Sequence, residues 1–368
     1  MKDTLAEQLL AKVMNWSPED IVRERPDLQI MAKYKYDSYQ QFFPGMRFVE
    51  SIAQWLNQFE TIDERTIAYN FVKGRLVFCS DAEMGQLVSM VYPDYIRPLL
   101  LKETARIIGC PEHLITKIAE SQEFQVLRRQ SLFLSLSDSS HIDLFRRLNR
   151  EEISHEQIYA FYDISEDKAK DLIDELEKSL VEIIGKKPED GICRFRNLFL
   201  LDDFSGSGKS YLREEENGYS GKIAKVYNTI TKSDSPLSKI IDENNLLICT
   251  VLYMATEQSI RYLKPLMERL FQDNGYRYKL LSVQHLDESI RVQKGIDDDF
   301  LRLVDKYYDP KVETKSTRVG GTDNVKLGFA NCALPIVLSH NTPNNSVALL
   351  WSYEYREPRG LFPRVTRH

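Results

Sequence analysis

The N-terminal part of the chain carries apolar residues at the spacing of one helix face. Within residues 1–16 these include Leu5, Leu9 and Val13, and the same periodicity recurs over residues 45–59. Positions three or four apart fall on one side of an α-helix, where they can be buried together. The pattern therefore predicts amphipathic helices in this region.

Capping residues mark two further helix starts. Ser80 and Glu83 have the spacing of a capping box, in which a hydroxyl accepts a backbone N–H and the glutamate reaches back. Pro111 suits a first helical turn, where no intrahelical acceptor waits for its missing N–H. We predict an N-terminal helical region over residues 1–127, either a small bundle or a winged-helix-like unit, and a partner-docking role is one interpretation of it.

Beyond this region the pattern changes to short apolar runs that alternate with helical periodicity. The runs cover residues 131–137, 197–203, 245–255, 278–286, 332–340 and 346–351. Strands that alternate with helices are typical of a mostly parallel sheet with helices on both faces. We predict an α/β domain over residues 128–368, with loops at the polar stretches 213–220 and 310–324.

Composition narrows the class of protein. Hydrophobic residues make up 42% and charged residues 28%, which is ordinary for a globular chain with a large core. The net charge of −6 results from 49 basic and 55 acidic residues. It argues against a protein that coats nucleic acid, although a local basic patch is compatible with it.

The cysteines and the N-terminus indicate the cellular compartment. Five cysteines form no C-x-x-C pair, so we expect reduced thiols in a reducing cytosol rather than a disulfide framework or a zinc site. Residues 1–16 carry acidic side chains within their apolar pattern, unlike a signal peptide. No apolar run approaches the roughly 20 residues of a membrane helix. We predict a soluble cytoplasmic protein with no membrane association.

The segment LFLLDDFSGSGKS, residues 198–210, raises a choice between two phosphate-binding motifs. It ends in a Gly-Lys-Ser triplet, as a nucleoside-triphosphate P-loop does. The P-loop also requires a glycine where this chain has Asp203, which is preceded by Asp202. Two carboxylates at the mouth of an anion site repel a triphosphate unless a metal intervenes, so a P-loop NTPase is the least favoured interpretation.

The same segment has the parts of a ribose 5-phosphate site. An apolar strand ends in two carboxylates that can accept hydrogen bonds from ribose hydroxyls or approach Mg²⁺. A loop of glycine and hydroxyl residues follows, and we expect it to enter a helix at Lys209, where unpaired backbone donors bind phosphate. The alternative is an acidic loop that binds nothing. The catalytic and metal candidates are Asp202 and Asp203, and the substrate-binding candidates are Ser205, Gly206, Ser207, Gly208, Lys209 and Ser210.

These residues resemble the signature of phosphoribosyltransferases, in which an apolar strand, two adjacent acids and an apolar residue precede a loop of small residues. Asp202 and Asp203 match the acids, and residues 205–210 match the loop that holds the 5′-phosphate. Phe204 stands where the family usually has valine or isoleucine. The resemblance implies a protein that binds the ribose 5-phosphate part of phosphoribosyl pyrophosphate (PRPP) or of a nucleotide. It also implies Mg²⁺ as a cofactor where pyrophosphate is involved.

Three segments, in the same order, are similar to a divergent branch of that family. They are residues 131–147, the acid pair, and residues 328–351. The branch is the phosphoribosyltransferase-like domain of bacterial conflict and anti-phage systems, some of them linked to retrons. This resemblance implies a toxic effector in anti-phage defence that a partner restrains until infection.

Two more loops supply candidate residues. Asp138 and Ser139 follow the first predicted strand of the sheet, where the resemblance implies pyrophosphate binding, but this loop lacks the usual glycine and basic residue. A helix N-cap at Asp138 is the alternative. His340 and Asn344 lie between two predicted strands, where the resemblance favours a substrate-facing loop. A turn formed by its Asn and Pro residues is the alternative there.

The candidates support two functions. In the first, an enzyme acts at ribose C1 of a phosphorylated sugar or nucleotide, by transfer or by glycosidic cleavage, and the twin acids stabilise positive charge on the ring. In the second, a catalytically inactive domain senses a nucleotide, while residues 1–127 dock to a regulatory protein or a nucleoprotein.

Overall fold

The computed structural model describes residues 3–189, 191–352 and 359–364. The chain forms two compact units, one from Met1–Met84 together with Asp287–His368, and the other from Gly85–Leu286. The second unit is therefore one continuous segment inserted into the first. The division predicted from the sequence, at 127/128, stays a prediction about the domains of the chain.

Helices and strands follow one another along most of the chain, with short 3-10 helices and one π-helix between some of them. The helices are α1 (Asp3–Met14), α2 (Pro18–Tyr34), α3 (Phe48–Asn57), α4 (Ile62–Arg75), α5 (Asp81–Met90), α6 (Arg97–Ile108), α7 (Ile115–Ala119), α8 (Gln122–Arg129), α9 (Ile142–Leu148), α10 (Glu166–Ile184), α11 (Lys222–Thr231), α12 (Glu257–Phe271), α13 (Asp298–Lys306) and α14 (Ala348–Trp351). The strands are β1 (Val77–Cys79), β2 (Ser131–Ser135), β3 (Ile158–Ala160), β4 (Asn197–Ser205), β5 (Arg213–Glu215), β6 (Gly218–Ser220), β7 (Leu247–Thr256), β8 (Arg277–Leu286) and β9 (Ile336–Leu338).

A five-stranded parallel sheet, in the order β3-β2-β4-β7-β8, forms the centre of the Gly85–Leu286 unit. In its register Leu132 of β2 lies beside Leu198 of β4, which lies beside Ile248 of β7. Every residue of β2 and of β7 is buried. Parallel strands covered on both faces require such nearly continuous apolar runs, so the α/β fold with a mostly parallel sheet, predicted from the sequence, is confirmed.

Helix α10 shows how the sequence covers the sheet. It begins after Ser165, whose side chain accepts the N–H of residue 168, and it ends at Gly185, whose φ of 77° is the left-handed cap conformation. Leu172, Leu176 and Leu180 are spaced four apart and are buried in one core with side chains of β2 and β4. Burying each leucine contributes about 1.5–3 kcal/mol, which fixes the helix on the sheet.

The other unit has a core of aromatic and aliphatic side chains contributed mostly by helices. The ring of Tyr36 packs against Phe48 with 4.5 Å between centroids, and Phe48 stacks on Phe362 at 5.9 Å. The helices predicted over residues 1–16 and 45–59 correspond to α1 and α3, which confirms an N-terminal helical region.

A polar cluster joins α4 to the end of α13 in this unit. Glu64 accepts hydrogen bonds of 2.7 Å from Nζ of Lys306 and from the hydroxyl of Tyr307, and Thr61 completes a capping box with it. Partial burial acts to raise the pKa of Glu64, but the hydrogen bonds from Lys306, Tyr307 and the Thr61 backbone lower it to about 2. Glu64 is therefore a carboxylate that contributes stability to this unit at neutral pH.

Two local expectations from the sequence are wrong. The apolar run 346–351 contains helix α14 rather than a strand, whereas the run 332–340 does contain a strand, β9, which pairs with β1 in a separate two-stranded sheet. The polar stretch 213–220 is an antiparallel hairpin of β5 and β6 rather than a loop. Short buried runs have the same apolar pattern in a helix and in a strand, so periodicity alone does not separate them.

Candidate functional site

The twin acids lie at the carboxyl end of β4, the middle strand of the five-stranded sheet. The strand continues through both acids to Ser205, whereas the sequence suggested an end at Leu201. Asp202 still pairs in register with Leu252 of β7 and has no exposed surface, while Asp203 is 6% exposed. Parallel α/β sheets bind ligands beyond the carboxyl ends of their strands, so the acids occupy the expected edge.

Both carboxylate oxygens of Asp202 are engaged inside the protein. Oδ2 forms an ion pair with Nζ of Lys222, and Oδ1 accepts a short hydrogen bond from the hydroxyl of Ser137. Lys222 is the first residue of α11, and its side chain is 26% exposed. Asp202 therefore connects the end of β4 to the loop after β2 and to the start of α11.

The loop after β2 brings the two candidates Asp138 and Ser139 to this region. Oγ of Ser139 lies 3.0 Å from Oγ of Ser137, so Ser139 hydrogen-bonds the residue that holds Asp202. Asp138 is exposed and is the first residue of a 3-10 helix, Asp138–Ser140. The N-cap position belongs to Ser137, so the alternative interpretation of Asp138 as an N-cap is wrong.

The protonation of Asp202 depends on opposing influences. Burial raises the pKa of Asp202 above its usual range, and the neighbouring charge of Asp203 raises it further. Lys222 and Ser137 act in the other direction because each favours the charged carboxylate. The ion pair with Lys222 is thus the main feature that keeps a negative charge at this buried position.

Two buried tyrosines fix the backbone around the acids. The hydroxyl of Tyr211 donates to the carbonyl of Phe204 at 2.9 Å, and the hydroxyl of Tyr253 donates to the carbonyl of Ser140 at 2.6 Å. Burial raises the pKa of Tyr211 and of Tyr253 well above its ordinary value, and the charges of the twin acids add to the effect. Both tyrosines therefore stay protonated and keep these donated bonds.

The loop after the acids rests on the first turn of α12. Oγ of Ser205 lies 2.6 Å from Oγ of Ser259, and the carbonyl of Gly206 accepts a bond of 2.5 Å from Oγ1 of Thr256. Thr256 also caps α12 by accepting the N–H of Ser259 at 3.0 Å. One threonine thus starts the helix and anchors the loop.

Gly208 is the position where only glycine fits. Its φ of 77° lies in the left-handed region, and a Cβ built on it would lie 2.8 Å from Cγ of Leu263 and 2.9 Å from a ring carbon of Tyr262. Any side chain here would strain the backbone and push the loop away from α12. Gly208 is therefore explained by close packing of the loop backbone on α12.

Two backbone N–H groups of this loop have no acceptor among the described residues. The N–H groups of Ser207 and Gly208 donate to no acceptor within the residues that the structure describes. Both residues are buried, and Ser207 is 5% exposed. Since buried N–H groups are almost always hydrogen-bonded, an acceptor must come from water or from a ligand. Adjacent backbone donors of this kind suit a phosphate.

The chain does not enter a helix at Lys209 and Ser210, so that expectation is wrong. These residues form a turn, the β5–β6 hairpin follows, and α11 begins only at Lys222. Nζ of Lys209 lies 5.8 Å from the ring centre of Tyr262, and Ser210 is exposed. The carbonyl of Ser210 accepts the backbone N–H of Lys222 at 3.1 Å, so the start of α11 still adjoins the loop.

His340 and Asn344 belong to the other compact unit of the chain. The carbonyl of His340 accepts a bond of 2.7 Å from Nε2 of Gln41, and the carbonyl of Asn344 accepts the N–H of Phe329 at 2.6 Å. These backbone bonds order the loop. A substrate-facing role of His340 and Asn344 stays a prediction.

The fit of a magnesium ion to the acids can be tested on their contacts. Among the described residues, no three His, Cys, Asp or Glu side chains are grouped to hold a metal. Mg²⁺ commonly uses one or two carboxylates together with substrate phosphates. Asp202 does not fit this role in the present arrangement, because Lys222 and Ser137 use both of its oxygens. A magnesium ion would rely on Asp203 and on substrate oxygens, and it stays a prediction.

Several residues that build the site lie outside the candidates predicted from the sequence. They are Lys222, Ser137, Thr256, Ser259, Tyr211 and Tyr253. Ser137 could have been found, since it stands in the same serine-rich stretch as the chosen candidates. The others lie outside the motif in sequence, and no local pattern distinguishes them from ordinary core or surface residues.

Comparison with known proteins places the chain in a family. No curated protein and no solved structure matches the chain. None of the helices in the described parts of the chain has both the length and the apolar character to span a bilayer. A family model described as PRTase-CE matches residues 52–364, which is most of the chain. The protein therefore belongs to the PRTase-CE family, a family of phosphoribosyltransferase-like proteins.

Proposed function

We propose that the protein binds the 5-phosphorylated ribose of PRPP or of a nucleotide at the carboxyl edge of its sheet and acts at ribose C1. The observation that carries this proposal is the pair of buried N–H groups at Ser207 and Gly208, which find no acceptor among the described residues. They follow the twin acids by a few residues in one ordered loop. In the proposed complex the ribose lies at the acids and its 5-phosphate lies on the loop that follows them.

A cation beside the loop supports the same proposal. The sequence lacked a basic residue in the loop after β2, which weakened the case for pyrophosphate binding. Lys222 supplies one, because it shares the carboxylate of Asp202 with Ser137 and its backbone N–H bonds the loop at Ser210. Its side chain is 26% exposed, so a ligand anion can reach it.

The chemistry at C1 follows from where the negative charges lie. The bond from C1 to the leaving group breaks, and its electron pair leaves with pyrophosphate or with a base. Positive charge then develops on the ribose ring, and the acids are held rigidly to stabilise it. An acceptor nitrogen or a water forms the new bond to C1 and gives up a proton. The bound phosphate holds the ring in place during both events.

Two parts of the proposal rest on the resemblance in the sequence. Magnesium would neutralise pyrophosphate where that is the leaving group. A toxic effector in anti-phage defence would use this reaction to consume a nucleotide or to modify a nucleic acid, and a partner would restrain it until infection. The region 1–127 is the part we propose for docking that partner.

Asparagine variants of the acids test the proposal. We expect the wild type to bind PRPP or ribose 5-phosphate in calorimetry, and we expect Asp202→Asn with Asp203→Asn to weaken binding by at least about tenfold. A hydrogen bond to a charged group contributes about 1.5–3 kcal/mol, which sets that scale. Asp171→Asn, an exposed acid on α10, is the matched control and should bind as the wild type does.

Metabolite profiling of cells that express each variant separates catalysis from binding. An enzyme changes a nucleotide or PRPP pool in the wild type, and the double variant leaves the pool unchanged while circular dichroism shows an intact fold. A double variant that alters metabolites as strongly as the wild type would contradict the assignment of the acids.

A nucleotide-sensing module without catalysis is the second candidate. The observation that favours it is the engagement of both oxygens of Asp202 by Lys222 and Ser137, which ties that acid to side chains of the protein itself. In this case the wild type binds a nucleotide and changes its affinity for a partner, with no change in any metabolite. The same two measurements therefore distinguish the two functions.

A further inference from the structure

A cavity lies in the Gly85–Leu286 unit, at the amino end of its sheet. Its volume is about 240 Å³, and its walls come from α8, α10 and the connection between α9 and β3. Arg129 on its wall stands two residues before β2, and Gln157 stands directly before β3. The twin acids lie at the carboxyl end of β4, so this cavity is at the opposite edge of the same sheet.

Arg129 is a buried cation whose side chain has no hydrogen-bond partner in the part of the chain that the structure describes. It is 7% exposed, and its side chain forms neither a hydrogen bond nor an ion pair with any described residue. Nε and Nη1 have essentially no contact with solvent. A guanidinium has five N–H donors and keeps its charge in proteins. Burying it without acceptors is unfavourable, so an acceptor from outside the chain is required.

Neighbouring acids do not fill that need. Burial lowers the pKa of Arg129, and the charges of Glu156 and Glu175 oppose the shift. Both carboxylates act on Arg129 through their charge, and neither accepts a hydrogen bond from Nε or Nη1 of Arg129. Arg129 therefore stands on the cavity wall with side-chain donors that have no acceptor among the described residues.

The other charged groups on the wall leave a positive balance. Arg128 is already paired with Glu152 and donates to Gln125 at 2.5 Å. Arg150 is exposed and forms no ion pair within the described chain, and Glu151 is the one remaining acid on the wall. Two arginines thus face one exposed acid once the internal pair is set aside.

The wall is also rigid at its inner end. Nε2 of Gln157 donates to the carbonyl of Arg128 at 2.8 Å and to the carbonyl of Ser131 at 2.7 Å. Oε1 of the same residue accepts the N–H of Ser154 at 3.2 Å. Gln157 is 2% exposed, so these bonds hold α8, β2 and the connection before β3 in one arrangement. A site that is already formed binds a small ligand with little ordering cost.

We propose that this cavity is a second anion site, in which Arg129 and Arg150 bind a small oxyanion such as the phosphate or carboxylate group of a metabolite. The site is independent of the proposed ribose-phosphate site, because it shares no side chain with it and lies at the other edge of the sheet.

Hydrogen–deuterium exchange of the full chain tests the site, because exchange is located along the sequence. Inorganic phosphate and acetate are the two probes, each compared with chloride at matched ionic strength. We expect at least one of them to slow exchange in residues 122–130 and 150–157. Phosphate at the other site would instead slow exchange in residues 205–212. Protection by phosphate alone assigns a phosphate group, and protection by acetate assigns a carboxylate.

Three variants complete the experiment. Arg129→Gln and Arg150→Gln should each weaken binding of the anion that gives protection. For Arg129→Gln, which removes the buried donors, we expect the affinity to fall by at least about tenfold. Arg147→Gln changes an exposed arginine that is not on the wall and should behave as the wild type does. Asp203→Asn should keep the protection at the cavity, which separates this site from the proposed function.

Two results would overturn the inference. One is the absence of probe-dependent protection in residues 122–130 and 150–157 of the wild type at millimolar concentrations of either anion. The other is protection that persists unchanged in both arginine variants. Arg150→Gln removes an exposed side chain with no partner in the described chain, so it keeps the test decisive if Arg129→Gln folds poorly.

Discussion

Replacing Lys222 by methionine removes the cation that balances the most deeply buried acid of the site. Asp202 has no exposed surface, and the change leaves it with neutral hydrogen-bond donors such as the hydroxyl of Ser137 and the backbone N–H of Asp203. Methionine keeps most of the volume of the lysine stem and removes the charge. We therefore expect Lys222→Met to destabilise the protein through an unpaired buried carboxylate.

The size of the effect follows from the burial of the two partners. Breaking a buried ion pair by removing one partner costs about 3–5 kcal/mol. Lys222 is 26% exposed, so water can follow the vacated ammonium, and we expect the lower end, about 3 kcal/mol. For a unit of this size each kcal/mol lowers the midpoint of thermal unfolding by about 2–4 °C, which predicts a decrease of about 6–12 °C.

The pH dependence has a definite sign. The folded-state pKa of Asp202 is already raised, so the folded protein holds this proton more tightly than the unfolded chain does. A raised carboxyl pKa disfavours folding at high pH, and the penalty disappears as the pH falls below the unfolded value of about 4. Losing Lys222 raises the pKa further. The stability deficit of Lys222→Met should therefore grow with pH and be small in acid.

Thermal and urea unfolding across that pH range, followed by circular dichroism, measure the deficit. Lys225→Met is the matched control, because Lys225 is an exposed lysine on the same helix without an ion pair in the described chain. Adding Asp202→Asn to Lys222→Met should recover most of the loss, since a neutral amide needs no counter-charge. A deficit no larger than that of Lys225→Met, or one that neither pH nor the second substitution changes, would refute the buried ion pair as the cause.

Three further outcomes follow from other contacts. Gly208→Ala should lower the free energy of unfolding, measured in urea, by about 2–4 kcal/mol, because it adds both left-handed strain and overpacking. Gly185 has the same φ of 77° but open space around it, so Gly185→Ala should lower the free energy of unfolding by only about 1 kcal/mol. Tyr253→Phe removes the bond to the carbonyl of Ser140 and should cost about 1–2 kcal/mol, with faster hydrogen exchange in the loop after β2. Glu64→Gln should lower the free energy of unfolding by about 1–3 kcal/mol at neutral pH. The loss should shrink as the pH falls from about 4 toward the folded-state pKa of about 2, because a lowered carboxyl pKa gives its full stabilisation only above the unfolded-state pKa.

The sheet could be predicted because its inner strands, β2, β4 and β7, are buried on both faces. Runs such as residues 131–137 and 245–255 are mostly apolar at successive positions, which is the composition of a parallel strand covered on both faces. The acids stood directly after the last such residue of β4, which located the carboxyl edge of the sheet. This part of the site follows from local pattern alone.

The connection after the motif could not be predicted, for an equally local reason. The hairpin of β5 and β6 has strands of three residues, partly or fully exposed, and lacks the alternation of apolar and polar positions that marks a half-buried strand. It resembles a polar loop, so the sequence suggested that the helix begins at Lys209. The insertion moves the helix start to Lys222.

The displacement of that helix start explains the feature that the sequence lacked. A nearby cation favours phosphate binding, and the loop after β2 contains no lysine or arginine. The hairpin returns the chain so that Lys222 meets Asp202 and the N–H of Lys222 meets the motif loop. In the proposed function this one ammonium balances Asp202 in the free protein and lies within reach of a ligand anion. Ligand binding and the charge on Asp202 are then linked, so a phosphate that draws Lys222 away should raise the pKa of Asp202.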